Sequence, residues 1–127
     1  MDVFKIGGQF TIELVKFEML EKHIDSQKII DSVTFVSREE DKVALSVGRK
    51  VMQDSVSIEV KYNIEKTILP QCNKMTDDEI KSYIEGDKNE VTKGFYAYIS
   101  AMIISSLTMV GLSPIFTSME YIDGEQK

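Results

Sequence analysis

From Gly94 through Met119 the chain carries no charged residue, although 28% of the whole is charged. Within that stretch Val91 to Pro114 (VTKGFYAYISAMIISSLTMVGLSP) reads at helical spacing. Phe95, Tyr98, Ile99, Met102, Ile103, Met109 and Val110 make one apolar face, while Tyr96, Ala97, Ile104, Leu107 and Leu112 occupy much of the rest. A helix that is apolar nearly all round must be covered nearly all round. A chain of 127 residues supplies one small core, enough for one side. The other side needs a membrane, a second subunit or a client. The membrane fits poorly, because Ser100, Ser105, Ser106, Thr108, Gly111, Ser113 and Pro114 dilute the hydropathy and no basic cluster flanks the stretch. No stable membrane insertion is expected.

The segments before this helix read as a sheet. Phe10, Ile12 and Leu14 alternate in one phase and Val15, Phe17 and Met19 in the other, so a bulge or a change of partner is expected near Leu14-Val15. Ser32 to Val36 and Lys42 to Val47 flank the polar SREED, which predicts a hairpin with a solvated charged turn. The clearest strand is SVSIEVKYNIEK, where Val56, Ile58, Val60, Tyr62 and Ile64 alternate with polar residues. Glu21 to Ser26, with His23, reads as a solvated loop, and Gly48 to Asp54 as a second polar break. Pro70 marks where pairing stops. Thr76-Asp77-Asp78-Glu79 is a helix start, with Thr76 and Glu79 as a capping box and the aspartates in the positive first turn. The short helix it opens stops near Gly86, and the long one is expected from Asn89-Glu90-Val91 to Gly111, closed by Pro114. The fold class is therefore α+β: a four-stranded antiparallel sheet, a short helix and a long apolar helix. One domain over residues 1–127 is expected, with an extended tail around Phe116, Met119 and Tyr121, frayed from Asp123 to Lys127.

Chemistry is sparse. The sequence holds one His, one Cys and no Trp, with neither a glycine-rich phosphate loop nor paired cysteines. Catalytic residues, metal ligands and cofactors are not expected. The net charge of −6 and pI near 4.8 disfavour nucleic acid. With a single Cys72 and no basic-then-apolar leader at the start, a cytoplasmic location is the expectation.

The order of elements resembles the SecB-type export chaperones and their SecB-like relatives. Leu14 to Glu18 (LVKFE) is similar to that family's first strand, with Phe17-Glu18 as its aromatic-acidic pair, and Ser57 to Val60 (SIEV) matches a later strand. Ile104-Ser105-Ser106-Leu107, followed by Gly111 and Pro114, matches the end of its last long helix. The family's Phe-Pro-Tyr opening to that helix is absent; the aligned positions read Ala97-Tyr98-Ile99, and the family's first-strand aspartate falls on Leu14.

The resemblance implies a homotetramer, a dimer of dimers whose long helices meet across subunits. It also implies an ATP-independent holdase for non-native polypeptides, in apolar grooves between helix and sheet. Tyr62, Tyr98, Met102, Met109, Leu112 and Phe116 are the residues expected to line such a groove, and the seven methionines suit varied clients. Glu18 and Glu59 are the positions expected to meet a SecA-type motor. Two alternatives stand beside this one. The same fold could serve a single partner, as an antitoxin-associated or phage accessory protein does, or the helix could be consumed entirely by structural subunit packing.

Overall fold

The computed structural model describes residues 2–123. It contains two long antiparallel strands, β1 (Gln9–Glu39) and β2 (Lys42–Thr67), in one sheet. A 3-10 turn (Pro70–Cys72) follows, then helices α1 (Asp77–Gly86), α2 (Lys88–Val91) and α3 (Phe95–Met109). The fold is α+β with an antiparallel sheet, but two continuous strands replace the four expected. The two stretches read as breaks, Glu21 to Ser26 and Gly48 to Asp54, lie within these strands. Polar composition does not mark the end of a strand here.

Neither strand is straight. The β1–β2 register shifts between Met19 and Ile24 and again between Ile24 and Lys28. In a straight strand Gly48 and Lys61 would stand about 40 Å apart at roughly 3.3 Å per residue. Instead a Cβ on Gly48 would lie 2.7 Å from the Lys61 side chain and 3.2 Å from the Val60 carbonyl oxygen. The Ile68 N–H also donates to the Asp41 carbonyl at 2.7 Å. β2 therefore doubles back on itself, and Asp54, at φ 55°, sits at the bend.

The expected phase switch in β1 falls at Glu13. Ile12 pairs with Tyr62 and Leu14 with Lys61, leaving Glu13 as the extra residue of a bulge. Phe10 and Ile12 before it, and Val15, Phe17 and Met19 after it, pair with Ile64, Tyr62, Val60, Ile58 and Val56 respectively. Directly paired residues share a face, so all five apolar side chains lie on the side that buries Ile58, Val60, Tyr62 and Ile64.

α3 packs against β2 on that face. It has 15 residues and is shorter than the helix read from Val91 to Gly111. Gly94, at φ 87°, separates it from α2. Its C-terminus is the expected one: Gly111 takes φ 80°, Leu112 N–H donates to Leu107 O at 2.9 Å and Gly111 N–H to Thr108 O at 3.1 Å, a Schellman closure. The buried face consists of Phe95, Tyr96, Ile99, Ser100, Ile103 and Leu107. Tyr98, Met109 and Val110, read as part of the apolar face, are exposed. Among the described residues no helix is long and apolar enough to cross a membrane.

α1 opens as expected, with Thr76 Oγ accepting from Glu79 N–H at 3.2 Å and the Glu79 carboxylate accepting from Thr76 N–H at 2.9 Å. The hairpin turn of SREED is tight, with Glu40 at φ 57°. Its Arg38 is not a solvated charge: the guanidinium donates to the carbonyls of Glu40, Asn73 and Met75, tying the turn to the segment before α1.

The tail is held by a buried ion pair. Arg49, 1% exposed, gives two 2.7 Å hydrogen bonds to the Asp31 carboxylate and lies 4.7 Å from the centre of the Tyr96 ring. It also donates to Thr117 Oγ1 and to the carbonyls of Ser118 and Glu120, while Asp31 accepts from Ile122 N–H at 2.8 Å. Tyr96 O–H donates to Gly48 O at 3.0 Å; burial, together with the nearby Asp31 charge, holds its pKa well above the usual phenol value. Phe116 and Met119 face outward, and Tyr121 packs near Tyr96 with ring centres 6.0 Å apart. The fraying expected beyond Asp123 lies outside the described residues.

Removing one member of a buried pair strands the other charge, so Asp31→Ala is expected to cost about 3–5 kcal/mol in urea unfolding. The double variant Asp31→Leu with Arg49→Met is expected to recover only part of that loss, because it removes the stranded charge but leaves the Ser118 and Glu120 carbonyls and the Ile122 N–H without these partners. A loss below about 1 kcal/mol for Asp31→Ala would show that the tail is held otherwise.

Candidate functional site: an apolar surface beside helix α3

The burial pattern divides the apolar residues into two sets. Inside are the β2 row and the inner face of α3; outside, on the same side of the sheet, is the first half of β1. There Phe10 is 37% exposed, Ile12 54%, Val15 42%, Phe17 37% and Met19 62%. Phe10 joins this row to the helix, its ring centre lying 4.7 Å from that of Tyr98 and 5.3 Å from that of Tyr62. On the outer face of α3 Tyr98 is 53% exposed, and Met109 at 86% and Val110 are exposed near the end of the same helix. Exposed apolar side chains occur singly on most proteins, whereas a joined set of this kind marks a surface that is covered in use.

Of the expected groove residues, Tyr98, Met109 and Phe116 are exposed. Met102 and Leu112 are partly buried and pack against the core. Tyr62, expected in the groove, is 3% exposed and lies against Phe10. Burial also raises the pKa of its hydroxyl. Tyr98 meets the β1 row through Phe10.

The β1 row was readable as apolar but not as exposed. Its alternation matches that of Val56 to Ile64, and a sequence does not say which of two equally apolar strands the single helix will cover. The bulge at Glu13 was the available signal, since it places both phases of β1 on the helix side.

Glu18 and Glu59 lie on the opposite face. Glu18 pairs with Ser57, and Lys16 pairs with Glu59. Lys16 Nζ is 3.0 Å from Glu18 Oε1, and this contact holds the Glu18 carboxyl below its ordinary value and the Lys16 ammonium above. The two acidic residues are thus brought together around one lysine, away from the apolar surface. His23 is solvent-facing, 3.8 Å from Asp25 and 3.9 Å from Asp54.

No protein-family model matches the sequence, and no curated protein matches it. A solved structure does: the Mycobacterium tuberculosis SecB-like chaperone Rv1957 in complex with a ChAD peptide from the Rv1956 HigA1 antitoxin. The match has a TM-score of 0.67 at 9% sequence identity and covers 91% of this chain and 85% of that one. At that identity the likeness is one of fold, and the fold of this chain is SecB-like.

Proposed function

We propose that the chain is a chaperone that holds non-native polypeptide, without ATP, against the apolar surface formed by the first half of β1 and the outer face of α3. The observation that carries this reading is the exposed row Phe10, Ile12, Val15, Phe17 and Met19 on one side of the sheet, joined through Phe10 to Tyr98 of α3, whose outer face also exposes Met109. Methionine at two of those positions adapts its shape to varied partners. Among the described residues the outer edge of β1 has no partner strand. That edge gives a second copy of the chain a place to pair, in keeping with a tetramer. A basic unfolded segment would be attracted by the net charge of −6.

Tyr98→Asp with Met109→Asp changes two outward-facing residues and leaves the core intact. Light scattering of an unfolding client is expected to show suppression of aggregation by the unchanged protein and a severalfold loss with the double variant. Failure of stoichiometric unchanged protein to suppress aggregation would overturn the reading.

The similar solved structure favours a second reading, because that chaperone is seen with a peptide of one antitoxin. By this reading the chain serves one cognate client. Affinity capture separates the two: a dedicated chaperone returns one stoichiometric partner, a general one a broad set.

Contact with a SecA-type motor would fall to Glu18 and Glu59 on the wet face. Glu18→Lys with Glu59→Lys is expected to abolish binding to such a motor in calorimetry while leaving client binding intact. Unchanged motor affinity would remove these residues from that role.

A further inference from the structure

The alternation that buries Ile58, Val60, Tyr62 and Ile64 runs one step further than the apolar residues do and buries Lys66. Its side chain is an unusual occupant for that row. Lys66 is 5% exposed, and among the described residues no carboxylate lies within salt-bridge distance and no hydrogen-bond acceptor is assigned to it. A buried ammonium ordinarily has a carboxylate or several carbonyls around it. Here the Nζ atom has the rings of Phe95 and Phe4, with centres 5.5 and 5.8 Å away. Cation–π attraction offsets part of the desolvation, and the Nζ atom itself is not sealed off, so its N–H donors are left to whatever fills the space in front of it.

The ammonium faces a cavity of about 400 Å³ between the N-terminal segment, the end of β2 and the helices. Phe4, Tyr83 and Val91 form its apolar wall, and Phe4 and Tyr83 meet edge to face at 5.9 Å. The charged groups facing Lys66 across it are Asp2 and Lys5 from the N-terminal segment, Glu90 from α2, and Lys93 after it. Three lysines and two carboxylates line it, and Asp87 acts on Tyr83 from beside it, in a chain whose net charge is −6. These acidic groups disfavour a doubly charged phosphate more than a singly charged carboxylate. The aromatic and aliphatic wall calls for an apolar body on the same molecule.

We propose that this cavity is a carboxylate-binding site, with Lys66 as the ion-pairing group and Phe4, Tyr83 and Val91 as the wall for an attached apolar group. The carboxylate can come from a small monocarboxylic acid or from the C-terminus of a polypeptide ending in an apolar residue. The site is separate from the surface proposed to hold clients, so either can fail without the other. Burial holds the Lys66 pKa below the ordinary lysine value, so the site loses its proton, and with it its hold on an anion, at a lower pH than a solvated lysine would.

The test is a titration of the isotopically labelled full chain, followed by backbone amide shifts, with 3-phenylpropanoate and its neutral analogue 3-phenylpropanamide. The acid is expected to move the amides of Phe4, Lys66 and Val91 and to bind at least about tenfold more tightly than the amide, as a charge-assisted contact should. Its affinity is expected to fall as pH rises through the lowered Lys66 pKa. Lys66→Met keeps the length and apolar character of the stem, is expected to fold at least as stably, and should lose the preference for the acid. Equal affinity for acid and amide in the unchanged protein would overturn the proposal whether or not the variant folds. So would full binding of the acid by Lys66→Met.

A short peptide ending in phenylalanine, compared with its C-terminal amide, distinguishes the two sources. If the free-carboxylate peptide moves the same amides, the site accepts chain ends; if only the small acid does, it is a small-molecule site.

Discussion

The ion pair between Arg49 and Asp31 is the contact on which the rest of the arrangement depends. It joins β1 to β2, lies against Tyr96 of α3 and gathers the carbonyls of the tail. Its two side chains are fully removed from solvent, a state that carries a large desolvation cost unless every polar atom is answered. Each is answered: among the described residues no buried side-chain nitrogen or oxygen lacks a partner. The tail from Thr117 to Ile122 forms no strand or helix of its own, so its position comes from these bonds and from Tyr121. The apolar helix is thereby fixed on its inner side by Tyr96 and Ser100, and its outer side is left open.

The sequence was most legible where one residue type has one mechanism. The capping box at Thr76 and Glu79, the termination at Gly111 and the switch of phase in β1 each rest on a local rule, and each is found where the residues place it. It was least legible where polarity stood in for structure. Gly48 to Asp54 reads as a polar break, yet Arg49 there is among the most buried residues in the chain. Arg38 reads as part of a solvated turn and instead binds three carbonyls. In both cases the partners that make burial tolerable lie far along the chain, at Ser118 and Glu120 for Arg49 and at Asn73 and Met75 for Arg38.

The candidate site divides in the same way. The apolar character of α3 and of β1 was evident, but which side of each would be covered was not. The short α3 buries six residues against β2 and leaves β1 beside it uncovered from Phe10 to Met19. That asymmetry, one helix over a sheet wider than itself, follows from the length of the strands relative to a 15-residue helix. Tyr62 takes its expected place in the β2 row, with Phe10 against it.

The bulge at Glu13 means that the apolar surface is specified by counting, not by composition. Thr11, Leu14 and Lys16 share the wet face only because one residue is absorbed without advancing the register. Loss of that residue would leave the hydropathy profile almost unchanged while exchanging the faces of everything before it or everything after it. Two chains with nearly the same average properties could then present a continuous apolar strip or two half-strips on opposite sides of the sheet. Similarity of such chains is accordingly better judged by the position of the extra residue than by their overall apolar content.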